Sequence, residues 1–277
     1  MNQIISNSSS TTANETDQDV LFHLDENGIA TITLNRPEKK NAFNSDTIEQ
    51  LLAILEQLEH DTNLRALVLR ANGTHFSAGA DLNWMQSIAK FSMNENIKDA
   101  EKLADLLHRL DVLPVPTITL VQGAAFGGAL GLICCCDIAI ASKNTQFCLS
   151  EVKLGLVPAT IGPYVCRAMG QRQARRYMLT AEVISAYQAK QLGIIHKLVS
   201  TPFLFNPCLE GLIKQLTANS PNAVRKAKAL CHLCESSVLD ASLRKQTSEL
   251  IAELRASPEG QEGINAFLEK RKANWNT

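Results

Sequence analysis

The residues with the most chemistry to offer are a pair of small-residue turns. Phe76-Ser77-Ala78-Gly79-Ala80-Asp81-Leu82 follows an apolar run, and Gly123-Ala124-Ala125-Phe126-Gly127-Gly128-Ala129-Leu130-Gly131 joins a strand-like segment to an apolar one. Small residues let a ligand approach the backbone, and a helix start presents free N–H groups at the positive end of its dipole. Two such turns on neighbouring strands can aim two N–H groups at one oxygen, the arrangement of an oxyanion hole, where one donor is worth about 10²–10³ in rate. Glycines serving tight turns and close helix packing explain the same residues without a ligand, and that reading stays open. Dinucleotide binding fits poorly, because the spacing of Gly127, Gly128 and Gly131 is not G-x-G-x-x-G and no acidic residue ends a strand at the required distance.

Glu151 is the third feature. It lies between Phe147-Cys148-Leu149-Ser150 and Val152-Lys153-Leu154-Gly155-Leu156-Val157-Pro158. A carboxylate among apolar neighbours is expected to be partly buried, which raises its pKa and suits it to proton transfer. A helix-starting glutamate, or one paired with Lys153, is the alternative.

The elements that must position these residues follow from periodicity. Val20–Leu24 and Gly28–Leu34 read as strands around a turn at Glu26-Asn27-Gly28, and Arg36–Asn41 as a charged loop. Ser45 caps a helix to about His60, with Ile48, Leu51, Leu52, Leu55 and Leu58 on one face. Arg65–Ala71, Pro116–Gly123, Asp137–Ser142 and Gln146–Leu149 are further strands, and Asp81–Leu110 reads as two helices with a mobile connection. Beyond Ala159 the pattern is mostly helical, with strand character at Gly193–Val199 and helices over 207–218, 221–234, 239–256 and 260–275. No linker separates two domains. The expected organisation is a polar, disordered tail over residues 1–18, a core over 19–205 and a helical region over 206–277.

Composition excludes several classes. Of 277 residues, 45% are hydrophobic and 20% charged, with 27 Lys plus Arg against 28 Asp plus Glu. A net charge of −1 leaves no footprint for nucleic acid. No apolar stretch is long enough for a membrane span, and the polar, Ser/Thr/Asn-rich start has neither an h-region nor basic residues. Of the 8 cysteines, Cys134, Cys135 and Cys136 are adjacent, which is no disulfide framework. Cys231 and Cys234 form a lone C-x-x-C with His232 poorly placed to complete a metal site. A cytoplasmic protein without a metal is expected.

The ordered motifs resemble those of the crotonase, or enoyl-CoA hydratase/isomerase, superfamily from about residue 20 onward. They are Leu34-Asn35-Arg36-Pro37-Glu38-Lys39-Lys40-Asn41-Ala42, the two small-residue turns with Cys136-Asp137 after the second, the Phe147–Pro158 segment, and Ala266-Phe267-Leu268-Glu269-Lys270-Arg271-Lys272. The resemblance implies an α/β fold, a ββα spiral core with a C-terminal helical trimerisation region, assembled as a homotrimer or homohexamer. It implies an acyl-CoA substrate whose thioester oxygen sits between the N–H groups of Ala80 and Gly128. No cofactor is implied beyond the CoA that the substrate carries. The implied CoA contacts are Lys40 and Ala42 in the loop along the CoA arm, Ala78, and Asp81 and Leu82 on the adenine side. Phe267 and Lys270 match positions that reach the CoA of a neighbouring subunit; Lys270 also sits in a charged run where it can simply be solvated.

Hydratases of this superfamily carry two glutamates around the water. The second is matched by Glu151, while Gly131 occupies the position of the first. Glycine there, with the run Cys148–Tyr164, is similar to bacterial 3-methylglutaconyl-CoA hydratases of leucine breakdown and to isohexenylglutaconyl-CoA hydratases. The implied reaction is hydration of 3-methylglutaconyl-CoA to 3-hydroxy-3-methylglutaryl-CoA with Glu151 as acid and base. A single-carboxylate enoyl-CoA isomerase and a non-catalytic acyl-CoA- or RNA-binding protein on the same fold are the alternatives. Arg167 and Arg172 are candidates for the partner of the substrate's distal carboxylate.

Overall fold

The computed structural model describes residues 18–276; most of the expected disordered tail (residues 1–17) lies outside the described residues. In chain order the elements are β1 (Val20–Leu24), β2 (Ile29–Leu34), α1 (Ser45–Glu59), β3 (Ala66–Ala71), α2 (Leu82–Ile88), α3 (Met93–Val112), β4 (Thr117–Val121), β5 (Ala124–Phe126), α4 (Gly128–Cys135), β6 (Ile138–Ser142) and β7 (Gln146–Cys148). They continue with α5 (Gly162–Met169), α6 (Gln171–Thr180), β8 (Ile184–Ser185), α7 (Ala186–Gln191), β9 (Lys197–Val199), α8 (Phe205–Thr217), α9 (Pro221–Ser236), α10 (Ala241–Ala256) and α11 (Pro258–Leu268).

Strands rich in Ile, Val, Leu and Thr form one large sheet in the order β1-β2-β3-β4-β6-β9, antiparallel at β1–β2 and parallel thereafter. A small sheet, β5-β7-β8, stands beside it. The chain passes from the large sheet to the small one and then to a helix, as β4-β5-α4 and again as β6-β7 followed by α5. Isolated bridges from Phe43 to Ala80 and from Ser77 to Ala125 extend the same order to the earlier turns. This repeat is the expected ββα spiral, and parallel strands buried on both faces explain the near-continuous apolar runs. One core lies between the large sheet and α1, α3, α4 and α5. A second covers the other sheet face, where Phe205, Leu209, Leu212 and Ile213 of α8 meet Val68, Ile118 and Ile140.

Four local expectations change. The cap of α1 is Asn44, whose side chain accepts from the Thr47 N–H (2.8 Å), and Ser45 is the first helical residue. The strand at Gly193–Val199 shrinks to β9, because the Ile194 and Ile195 N–H groups both donate to Ala189 O at the end of α7. The last helix stops at Leu268 rather than Trp275, since Lys270 turns left-handed (φ 55°) and Arg271 folds back onto Glu262 at 2.7 Å. The three-residue strand β5, which sequence reading takes as turn, exists because Ala124–Phe126 pairs with Gln146–Cys148. Among the described residues no helix is long and apolar enough to cross a membrane.

Candidate active site

The first turn is built on the loop before α1. Asn41, buried and left-handed (φ 52°), accepts from the Arg36 N–H (2.7 Å) and donates to Asn72 O and His75 O (both 2.8 Å), tying loop 36–42 to loop 72–75. Lys40 O accepts from the Ala78 N–H (3.0 Å). The Phe43 N–H donates to Gly79 O and Phe43 O accepts from the Asp81 N–H, each at 2.8 Å. Those bonds bracket Ala80, whose own N–H has no backbone acceptor among the described residues. Asp81 then caps α2 through the Asn83 N–H (2.8 Å) and pairs with Arg36 at 3.1 Å. Burial works against its charge, but the Asn83 and Trp84 N–H groups and the Arg36 guanidinium together hold its carboxyl below the usual range.

The second turn is stitched to the first. The Ser77 N–H donates to Ala124 O (3.1 Å) and the Phe126 N–H to Ser77 O (3.0 Å). Gly79, at φ 98°, lies so close that a Cβ there would stand 3.2 Å from Phe126 O. Gly127, at φ 54°, donates to Cys148 O (2.9 Å) and reverses the chain into α4. Gly128 is the first residue of α4, so its N–H has no partner within the helix. The Phe43 ring lies 3.8 Å from the place of a Gly128 Cβ, so one residue contacts both turns. The Ala80 and Gly128 N–H groups belong to adjoining turns.

The strand β7 that binds Gly127 also delivers Glu151, at the start of a 3-10 turn over Glu151–Leu154. Its Oε1 lies 3.4 Å from the place of a Gly127 Cβ, beside the second turn. Its Oε2 is buried and has no hydrogen-bond partner among the described residues. Burial pushes its carboxyl above the usual glutamate value, its own backbone N–H offsetting this in part. Lys153 is exposed and does not neutralise it, so the ion-pair alternative fails. An underhydrated carboxylate with a spare oxygen beside two unclaimed N–H donors can move a proton on a carbonyl compound.

Gly131 is buried, and a Cβ there would meet Ile161 Cγ2 at 2.4 Å and Leu107 Cδ2 at 3.0 Å. No side chain fits there without rearrangement, because hydrocarbon fills the space it would need. Ala42 is buried against the first turn, with its carbonyl accepting from Arg36 Nη1 at 2.7 Å, while Ala78 is half-buried and Lys40 exposed. Leu82 opens α2 with 76% of its surface exposed. Phe267, the penultimate residue of α11, is 82% exposed, and Lys270 follows two residues after the helix ends. Arg167 is not a distal-carboxylate partner: it pairs with Asp111 and Glu235 and lines a cavity with Cys134, Cys135 and Cys136, at the opposite end of α4 from Gly128. Arg172 is exposed on α6. Sequence reading missed Asn41, Phe43 and Ile161; the only signal for Asn41 was a polar residue closing a charged loop before an apolar one.

Relatives share this architecture. Residues 25–277 match the enoyl-CoA hydratase/isomerase family. The crystal structure of an enoyl-CoA hydratase from Shewanella pealeana is 49% identical, covers 95% of this chain and 100% of its own, and superposes with a TM-score of 0.89. Pseudomonas aeruginosa AtuE is 35% identical over 94% of this chain and 100% of its own, with a TM-score of 0.90. The 2,3-dehydroadipyl-CoA hydratase of Escherichia coli strain K12 is 33% identical over 245 residues, which is 88% of this chain and 93% of the relative. With adjoining N–H donors and a glutamate beside them in the matching spiral, the chain belongs to the enoyl-CoA hydratase/isomerase (crotonase) family and is an enzyme of that type.

Proposed function

We propose that the protein reversibly hydrates 3-methylglutaconyl-CoA to 3-hydroxy-3-methylglutaryl-CoA. One observation carries this reading: Glu151 brings a buried oxygen without a hydrogen-bond partner to the second turn, while hydrocarbon fills the space at Gly131. The Ala80 and Gly128 N–H groups hold the thioester oxygen as charge builds on it. Glu151 takes a proton from water as the water oxygen bonds to C3, and returns that proton to C2 of the enolate. In reverse, Glu151 removes the C2 proton and hands it to the departing tertiary hydroxyl. One carboxylate thus closes the proton cycle, and the reaction needs no cofactor beyond the substrate's CoA.

Lys40, Ala42, Ala78, Asp81 and Leu82 line the CoA path in this proposal, Asp81 chiefly by holding the loop and α2 in place. The bare Phe267 ring and nearby Lys270 serve a neighbouring subunit's CoA in a homotrimer or homohexamer. All eight cysteines are free, which suits the cytoplasm. The lone carboxylate also favours a second reading, proton shuttling between carbons in an enoyl-CoA isomerase. Purified protein is assayed with a panel of 2- and 3-enoyl-CoA thioesters in H₂¹⁸O. Loss of the conjugated double bond with ¹⁸O at C3, highest on 3-methylglutaconyl-CoA, supports the hydratase; bond migration without label means isomerase. Thioester binding without turnover means a binding protein.

A further inference from the structure

Phe43 stands between the loop before α1 and the two turns, and it meets both at their N–H donors. The Gly79 C=O and the Ala80 N–H belong to a single planar trans peptide, so they point in opposite directions. The Phe43 N–H donates to Gly79 O at 2.8 Å and thereby aims the Ala80 N–H to the far side of that peptide, away from the loop. The Asp81 N–H, bound to Phe43 O at 2.8 Å, fixes the next peptide and holds Ala80 from its other end. A peptide whose carbonyl already accepts a hydrogen bond is polarised, and its N–H becomes a stronger donor.

The second donor is arranged in the same way. Gly127 O accepts from the Leu130 N–H at 2.9 Å, so the Gly128 N–H at the other end of that peptide points out of the helix start. Gly127 and Gly128 have no side chains of their own to brace this corner. The Phe43 ring supplies the support: its Cδ2 and Cε2 lie 3.8 and 3.9 Å from the place of a Gly128 Cβ, so the ring faces Gly128 where a side chain would project. The ring is itself held fast. Phe43 is 5% exposed within the main core, Asn41 before it is tied by three hydrogen bonds, and Asn44 after it caps α1.

We propose that Phe43 is the positioning residue of the thioester-binding N–H pair: its main chain orients the Ala80 N–H, and its ring holds Gly128 at a fixed separation from that group. This deepens the hydratase reading and rests on it for the role of the two donors. Phe43 touches no reacting atom. It acts through the geometry of the pair, which stabilises developing charge only where both donors reach one oxygen. A misplacement of about 1 Å costs up to about 10²-fold in rate, so loss of either hold lowers kcat more than it lowers affinity for the uncharged thioester.

Infrared difference spectra of butyryl-CoA labelled with ¹³C at the thioester carbonyl read its polarisation in the full-length protein without turnover. In wild type the carbonyl stretch is expected to move to lower frequency on binding. Phe43→Leu removes the ring. Replacement of Phe43 by phenyllactate, an amide-to-ester change, removes only the N–H that binds Gly79 O, and it keeps the ring in the core should Phe43→Leu fail to fold. Each variant should lose about half of the downward shift and lower kcat at least about 10-fold, with the Kd for butyryl-CoA within about twofold of wild type. Phe205→Leu, at a buried ring in the second core, measures the cost of losing a ring elsewhere and should leave shift and kcat unchanged. A full shift in either Phe43 variant, or an equal loss in Phe205→Leu, overturns the proposal. No shift in wild type overturns the oxyanion reading together with it. A wild-type shift that the Phe43 variants lose, in a protein that does not hydrate 3-methylglutaconyl-CoA, would overturn the hydratase reading and leave the positioning role standing.

Discussion

Ile161 occupies the space that any side chain at Gly131 would need: a Cβ at Gly131 would stand 2.4 Å from Ile161 Cγ2. In an exposed helix, Gly→Ala gains about 1 kcal/mol. Here the new methyl meets a β-branched side chain that is 1% exposed and cannot swing away. Overpacking of this kind costs about 1–3 kcal/mol. Gly131→Ala should therefore lower the denaturant midpoint, and Ile161→Ala should cost less in that background than in wild type, so that the double variant is more stable than the sum of the two single effects predicts. Strict additivity would mean that the two positions do not compete for space.

Arg36 and Asp81 form a second coupled pair, at 3.1 Å with both side chains mostly buried. Asp81 also caps α2, immediately after Ala80. Asp81→Asn should cost about 3 kcal/mol, since it strips a buried guanidinium of one carboxylate, and should lower kcat by misplacing the Ala80 N–H. The folded-state pKa of Asp81 lies below its unfolded value. Its contribution is thus present above the unfolded pKa and fades as pH falls through the folded one. Denaturation midpoints of wild type and Asp81→Asn should converge at acid pH; a gap independent of pH would remove the ion pair from the explanation.

Lys270 adopts φ 55° without being glycine. That conformation costs an L-residue about 1 kcal/mol, so Lys270→Gly should hold or raise Tm. If the amine meets CoA phosphate across a subunit boundary, the same variant should raise KM for CoA thioesters several-fold at unchanged kcat. Phe267→Asp should shift the protein to a smaller species by light scattering. An unchanged KM in Lys270→Gly would mark the lysine as solvated surface.

How far these relationships can be read from the chain differs by residue. The apolar runs of β3, β4 and β6 and the heptad-like face of α1 announce themselves by periodicity, and small residues at 77–80 and 123–131 announce close backbone approach. Phe43 gives no local signal, because its importance comes from a bridge to Ala80 and a ring against Gly128, contacts between segments remote in sequence. Ile161 looks like any core residue until Gly131 is found beneath it. Long-range contacts set these roles, and single-chain periodicity reports only local ones.

Glu151 combines a cost to the fold with a use in the chemistry. Burial raises its folded-state pKa above its unfolded value. The sign of the linkage follows: its contribution to stability is fully present below the unfolded pKa and is lost as pH rises through the folded pKa, where the carboxylate must ionise in a site that solvates it poorly. Glu151→Gln keeps the shape and removes the charge. At neutral pH the variant should melt at or above the wild-type Tm, and the advantage should vanish in acid, where wild type is neutral as well. Turnover should move the other way, with kcat for hydration down by at least about 10²-fold. In wild type, kcat/KM should fall on the acid side through a pKa above that of an ordinary glutamate, because the base must be ionised to accept a proton from water, and that limb should disappear from whatever activity Glu151→Gln retains. A variant that kept near-normal turnover, or lost stability at neutral pH, would show that Glu151 supports the fold rather than the reaction.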